Sequence, residues 1–184
     1  MVRIPVRRSL AHRPPVRRFA TALITSAAVA SAVFTSPALA EAGGLRSERQ
    51  LTLDLANRIA TAAVAACAAN GHAVAATVVD RAGIVRVVQR ADNAGPHTVA
   101  ASQRKAFTSV SARNTTQAMM EAAQKNPGAA NLVYLPGFLL LGGGVPVRVG
   151  NEVVGAVGVG GAPGGHLDEQ CAVAALEQLE PMLQ

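Results

Sequence analysis

Residues 141–170, LGGGVPVRVGNEVVGAVGVGGAPGGHLDEQ, constrain the fold of this chain more than any other stretch. Glycine adopts backbone angles that strain other residues, so clustered glycines mark turns and close approaches. Val145, Val147 and Val149 alternate with Pro146 and Arg148, the pattern of a half-buried strand. Gly150-Asn151 then separates this run from a second apolar run, which predicts a hairpin. A glycine-rich loop follows, and a helix is expected to open near Asp168 and Glu169.

The chain start carries a different signal. Residues 1–18 hold six arginines and no acid, residues 19–35 are uncharged and apolar or small, and Ala38-Leu39-Ala40 fits the small-x-small cleavage rule. We therefore expect residues 1–40 to be an export signal cleaved before Glu41. Arg7-Arg8 and Arg17-Arg18 keep both a twin-arginine route and general secretion open. The expected destination is secreted, periplasmic or extracellular. The six arginines are part of the 17 basic residues, so residues 41–184 keep eleven basic against all eleven acidic residues and are formally neutral. The charge of the whole chain, +6, thus gives no basic footprint for nucleic acid.

The remaining 144 residues suit one domain with a real core, preceded by a flexible start over 41–50. Phe107, Phe138 and Tyr134 are its only aromatic residues, so Val, Leu, Ile and Ala must build that core. Leu55, Ile59, Ala63 and Cys67 fall at i+4 steps and predict a helix over 51–69, stopped by Asn70-Gly71. Residues 73–79 and 84–90, joined by Asp80-Arg81-Ala82-Gly83, predict a hairpin. Helices follow over 98–110 and from Thr115 or Thr116 to Gln124. Residues 129–137 read as irregular, Phe138–Leu141 as a short strand, and 167–180 as a last helix. The expected fold is α+β, with a five-stranded antiparallel sheet flanked by helices. Cys67 and Cys171 both lie on apolar stripes of terminal helices, which leaves a disulfide and two buried thiols as alternatives.

Several motifs in order resemble the heme-degrading-domain family of GlcG-like and HbpS-like proteins. They are Val78-Val79-Asp80-x-x-Gly83, Arg90-x-Asp92-x-Ala94 and Ala101-x-x-x-Lys105-Ala106-x-Thr108. Gly142-Gly143-Gly144-Val145-Pro146, Gly155-x-x-Gly158-Val159-Gly160-Gly161 and Asp168-Glu169 complete the set, which spans about residues 50–180. The resemblance implies a profilin-like layout for a domain over 51–184, and homo-oligomers, octamers among them. It also implies heme as ligand, with heme degradation, iron binding and redox reporting to a membrane sensor kinase as associated roles.

Heme needs an apolar slot, an axial donor and often a cation near its propionates. His97, Tyr134, Met119 and Met120 are axial candidates, and the resemblance adds the threonines Thr108, Thr115 and Thr116. Arg90, Arg104 and Lys105 are the candidate cations, although Lys105 also reads as a structural partner of Asp80 or Asp92. Asp80 and Asp92 are hard oxygen donors at the two ends of one strand and are candidates for iron. Asp80 alternatively closes its own turn. His72 and His166 are lesser ligand candidates. The loop Gly158-x-Gly160-x-x-x-Gly164 misses the dinucleotide spacing by one residue, so close packing explains it better than phosphate binding. Three functions remain in competition. One is an exported heme-binding protein, the second a binder or enzyme for another small molecule, the third a ligand-free oligomer that modulates a membrane partner.

Overall fold

The computed structural model describes residues 44–184. Residues 1–43, with the expected export signal, lie outside the described residues. Four strands form one antiparallel sheet in the order β2-β1-β4-β3, where β1 is Ala75–Asp80, β2 Val85–Arg90, β3 Gly144–Val149 and β4 Glu152–Gly160. The helices are α1 (Leu53–Ala69), α2 (His97–Ala112), α3 (Thr116–Lys125), the short α4 (Pro127–Ala130) and α5 (Gly165–Gln178). Short 3-10 turns cover Asn131–Tyr134 and Glu180–Met182.

The sheet is sandwiched. α1 and α5 pack side by side on one face, and α2 packs on the other. Local chemistry starts each element. Thr52 caps α1 by accepting from Leu55 N, and Gly71 ends it at φ +77°. Ala56, Ile59, Ala60, Ala63 and Cys67 form the buried face of α1, near the predicted stripe. β1 is buried along almost its whole length because it is central and covered on both faces. β2, at the edge, is mostly exposed. The two cysteines form a disulfide with Cα atoms 5.3 Å apart, joining α1 to α5.

The alternation in β4 changes partway. Val157 and Val159 belong to the core under α1 and α5, whereas Val153 and Ala156 belong to the core under α2. Val147 pairs with Gly155 but Arg148 pairs with Val153, so one residue of β4 is extra. Such a bulge lets neighbouring residues face the same side. Val154 accordingly joins the α1 side, and a Cβ on Gly155 would meet Leu51 there.

The fifth expected strand does not form. Residues 138–141 run beside the sheet without strand pairing. Their backbone groups bond side chains instead. Leu139 N donates to Thr108 Oγ1 at 2.8 Å, Leu141 O accepts from Thr116 Oγ1 at 2.7 Å, and Phe138 O accepts from Arg104. The apolar pattern was that of a strand, but hydroxyls and a guanidinium took the place of a neighbouring ladder.

Candidate functional site

The glycine block creates a narrow seat for α2. A Cβ at Gly158 would clash with Ser102 O and stand 2.5 Å from Ala106 N. One at Gly144 would clash with Lys105 O and stand 2.6 Å from Thr116 Cγ2. Glycine thus lets the helix backbone lie directly on β3 and β4, as the packing interpretation of this loop anticipated.

That close approach carries Lys105 inward. Lys105 is 1% exposed and Asp168 2%. The ammonium donates to Asp168 Oδ2 at 2.6 Å and to Val159 O at 2.9 Å. Asp168 Oδ1 accepts from Ala162 N at 2.9 Å, so the same carboxylate also fixes the glycine loop. A buried charge needs such a full set of partners. The partner of Lys105 is therefore Asp168, and the expected pairing with Asp80 or Asp92 does not occur. Thr77 and Ser102 share a buried hydrogen bond of 2.7 Å on the same side of the sheet.

The other sequence candidates are dispersed. Thr108 donates to Arg104 O and Thr116 accepts from Gly144 N, in addition to their bonds to 138–141. Thr115 caps α3 by accepting from Ala118 N. Asp80 closes its turn, its Oδ1 accepting from Ala82 N at 2.9 Å and Ile84 N at 3.0 Å. Asp92 is exposed beyond the far end of β2. Six strand residues, roughly 20 Å, separate the two carboxylates, so one ion cannot bridge them. Among the described residues no three His, Cys, Asp or Glu side chains gather as a metal site. Arg90 donates to Ala94 O, and His97 is exposed at the start of α2. Met119 is buried, Met120 and His72 are half-buried, and His166 is exposed on α5.

A trough opens on the α2 side of the sheet, at the β1–β2 turn. Its volume is about 420 Å³, and Val79, Gly83, Val85, Gln103, Arg104, Phe107, Pro136 and Gly137 line it. Phe107 is its organising side chain. Gly83 (φ +79°) and Gly137 (φ +84°) both lie against its ring, each so close that an added Cβ would come within 3.0 Å. Phe138 meets the same ring edge-on, with centroids 6.2 Å apart. The side of β2 that α2 leaves bare supplies the outer wall. Val85 is 45% exposed there, next to exposed Ile84 and Val88. Val133, Tyr134 and Leu135, just before Pro136, are exposed too, Tyr134 at 81%.

Of the earlier candidates only Arg104 lines this trough. The residues that sequence reasoning passed over are Phe107 and the pair Gly83 and Gly137. Phe107, in a domain with few aromatics, and the glycines Gly83 and Gly137 were the available signal, but their convergence is tertiary. A family model described as haem degrading protein HbpS-like matches residues 51–177.

The chain belongs to this family.

Protein GlcG of Escherichia coli is 34% identical over 109 residues, which is 59% of this chain and 80% of GlcG. A solved double mutant of Streptomyces reticuli HbpS is 40% identical, with a TM-score of 0.70, covering 78% of this chain and 97% of that one. PduOC, solved as a heme complex, is 21% identical with a TM-score of 0.63, covering 70% of this chain and 94% of its own, and shares the fold. The mixed α and β architecture with an antiparallel sheet is thus that of the HbpS-like structures, with four strands in the sheet of this chain.

Proposed function

We propose that this protein is an exported heme-binding protein whose ligand lies in the trough between β2, α2 and residues 136–137. The observation that carries this reading is an apolar cavity of about 420 Å³ with a guanidinium in its lining. Ligand sites are mostly apolar clefts of this size class with few polar groups. Membership of the HbpS-like family and the heme complex of the PduOC fold relative support heme as the ligand.

The residues fit the group as follows. Val79, Val85, Phe107 and Pro136 offer an apolar wall to a porphyrin face, and Arg104 offers N–H groups to a propionate. His, Met, Cys and Tyr are missing from the lining. Tyr134, which is exposed, makes no hydrogen bond with a described side chain and stands two residues before Pro136, would supply an oxygen donor to the iron. The hydroxyls of Thr108 and Thr116 are engaged on both sides by backbone groups, which argues against them as donors to iron. Hemin titration should give a saturable Soret shift at a fixed heme-to-subunit ratio. Tyr134→Phe should change the visible spectrum, whereas His72→Ala should not. Linear, unsaturable absorbance would overturn the reading.

The Cys67–Cys171 bond supports export, because disulfides persist in oxidising compartments. Mass spectrometry of exported protein should find Glu41 as the first residue, and a retained Met1 would contradict this. Assembly as a homo-oligomer is supported by the apolar exposure of the β2 edge at Ile84, Val85 and Val88. Light scattering at micromolar concentration should give more than the monomer mass.

A further inference from the structure

A second cavity, of about 410 Å³, is charged rather than apolar. It is lined by Arg49, Arg81, Arg113, Asn151, Glu152 and Val153. Four separate pieces of backbone bring these together: the segment before α1, the β1–β2 turn, the end of α2 and the β3–β4 turn with the start of β4. Arg81, with a side chain only 19% exposed, donates to Glu152 Oε1 at 2.7 Å, and Arg49 donates to Glu152 Oε2 at 2.9 Å. The hydrogen bonds from Arg81 and Arg49 hold the Glu152 carboxyl below its usual range.

Glu152 takes one N–H from each of these guanidiniums, and each guanidinium carries five. Arg113 makes no ion pair with any described residue. Three cations and one carboxylate leave the lining two positive charges in excess. Adding the neighbours Arg148 and Glu48 leaves that balance unchanged, since Arg148 Nη2 donates to Arg113 O and Glu48 stands 3.7 Å from Arg81 Nε. The Arg113 backbone is a further sign. It ends α2 at φ +54°, a left-handed position where glycine or asparagine is usual. Its N–H bonds Ser109 O and its carbonyl accepts from Arg148, which fixes the backbone from which the Arg113 side chain joins the lining.

We propose that this cavity binds a compact oxyanion of two charges, gripped by the free N–H groups of Arg81, Arg49 and Arg113. Forked guanidiniums match the paired oxygens of carboxylate and phosphate alike. The site is independent of the heme trough, which shares none of its lining residues.

Isothermal titration of the full chain at low ionic strength, with succinate and separately with inorganic phosphate, tests this. Saturable binding of at least one anion is expected, and the anion that binds distinguishes a dicarboxylate from a phosphate source. Arg113→Ala should weaken it about ten- to a hundredfold, the range of one charge-assisted hydrogen bond. Arg58→Ala removes an exposed cation outside the cavity, one paired with Asp54, and should leave affinity unchanged. Saturable binding of neither anion overturns the proposal. So does an equal loss in Arg113→Ala and Arg58→Ala, which would mean only general attraction to positive charge.

Discussion

Lys105 and Asp168 lie 63 residues apart and meet at 2.6 Å in the interior. Pairs of this kind are costly to break because the survivor is left charged without a partner. Lys105→Ala should therefore lower stability by about 3–5 kcal/mol in urea unfolding, while replacing both residues by apolar ones of similar volume should cost far less. A single variant as stable as the parent would show that the pair is not a strut. The sequence showed Lys105 on a stripe with Ala101 and Ser109, a helical position of obvious interest. It offered no means to choose among the acids. Asp80 and Asp92 were near in sequence motif, whereas Asp168 became the partner only because the glycine loop after β4 brings the start of α5 within reach of the Lys105 ammonium. Asp80, by contrast, was legible as a turn residue because its bonds are to backbone two and four positions ahead.

Elements were most readable where neighbours in sequence are neighbours in space. Both hairpins and the four helices α1, α2, α3 and α5 follow from alternation, i+4 stripes, caps and Gly or Asn stops, within a few residues of where they form. Residues 138–141 failed because pattern reports apolar burial and not which group fills the hydrogen bonds. The contact of α2 with the sheet is the other feature that pattern only hints at. Gly158→Ala would press a methyl onto the backbone of Ser102 and Ala106, which cannot swing aside like a side-chain tip. We predict a loss of about 1–3 kcal/mol or more, read as a lower urea midpoint. Gly150→Ala has open space around it and only its left-handed φ of +57° to strain it, so it should cost less. If the two variants were equally stable, the close seat of α2 would not matter to the fold.

For the whole molecule, the disulfide closes a loop of 104 residues and holds α1 against α5 over the sheet. In the chain-entropy account a loop of that length contributes about 4–5 kcal/mol. Reduction should therefore lower the urea midpoint clearly, and equal midpoints for oxidised and reduced protein would remove the argument that the fold depends on an oxidising compartment. The same sandwich leaves one side of β2 bare, and there the apolar trough opens. Its lining was hidden from sequence reasoning because it joins a turn, a helix face and a loop that are far apart along the chain. In the function we propose, this trough holds heme. Val85→Glu places a carboxylate in its wall, and hemin titration of this variant beside the parent and His72→Ala, with light scattering to show that its mass is unchanged, tests this. Val85→Glu is expected to lose the saturable Soret shift while His72→Ala keeps it. Saturation of Val85→Glu at the same hemin concentration as the parent would contradict it.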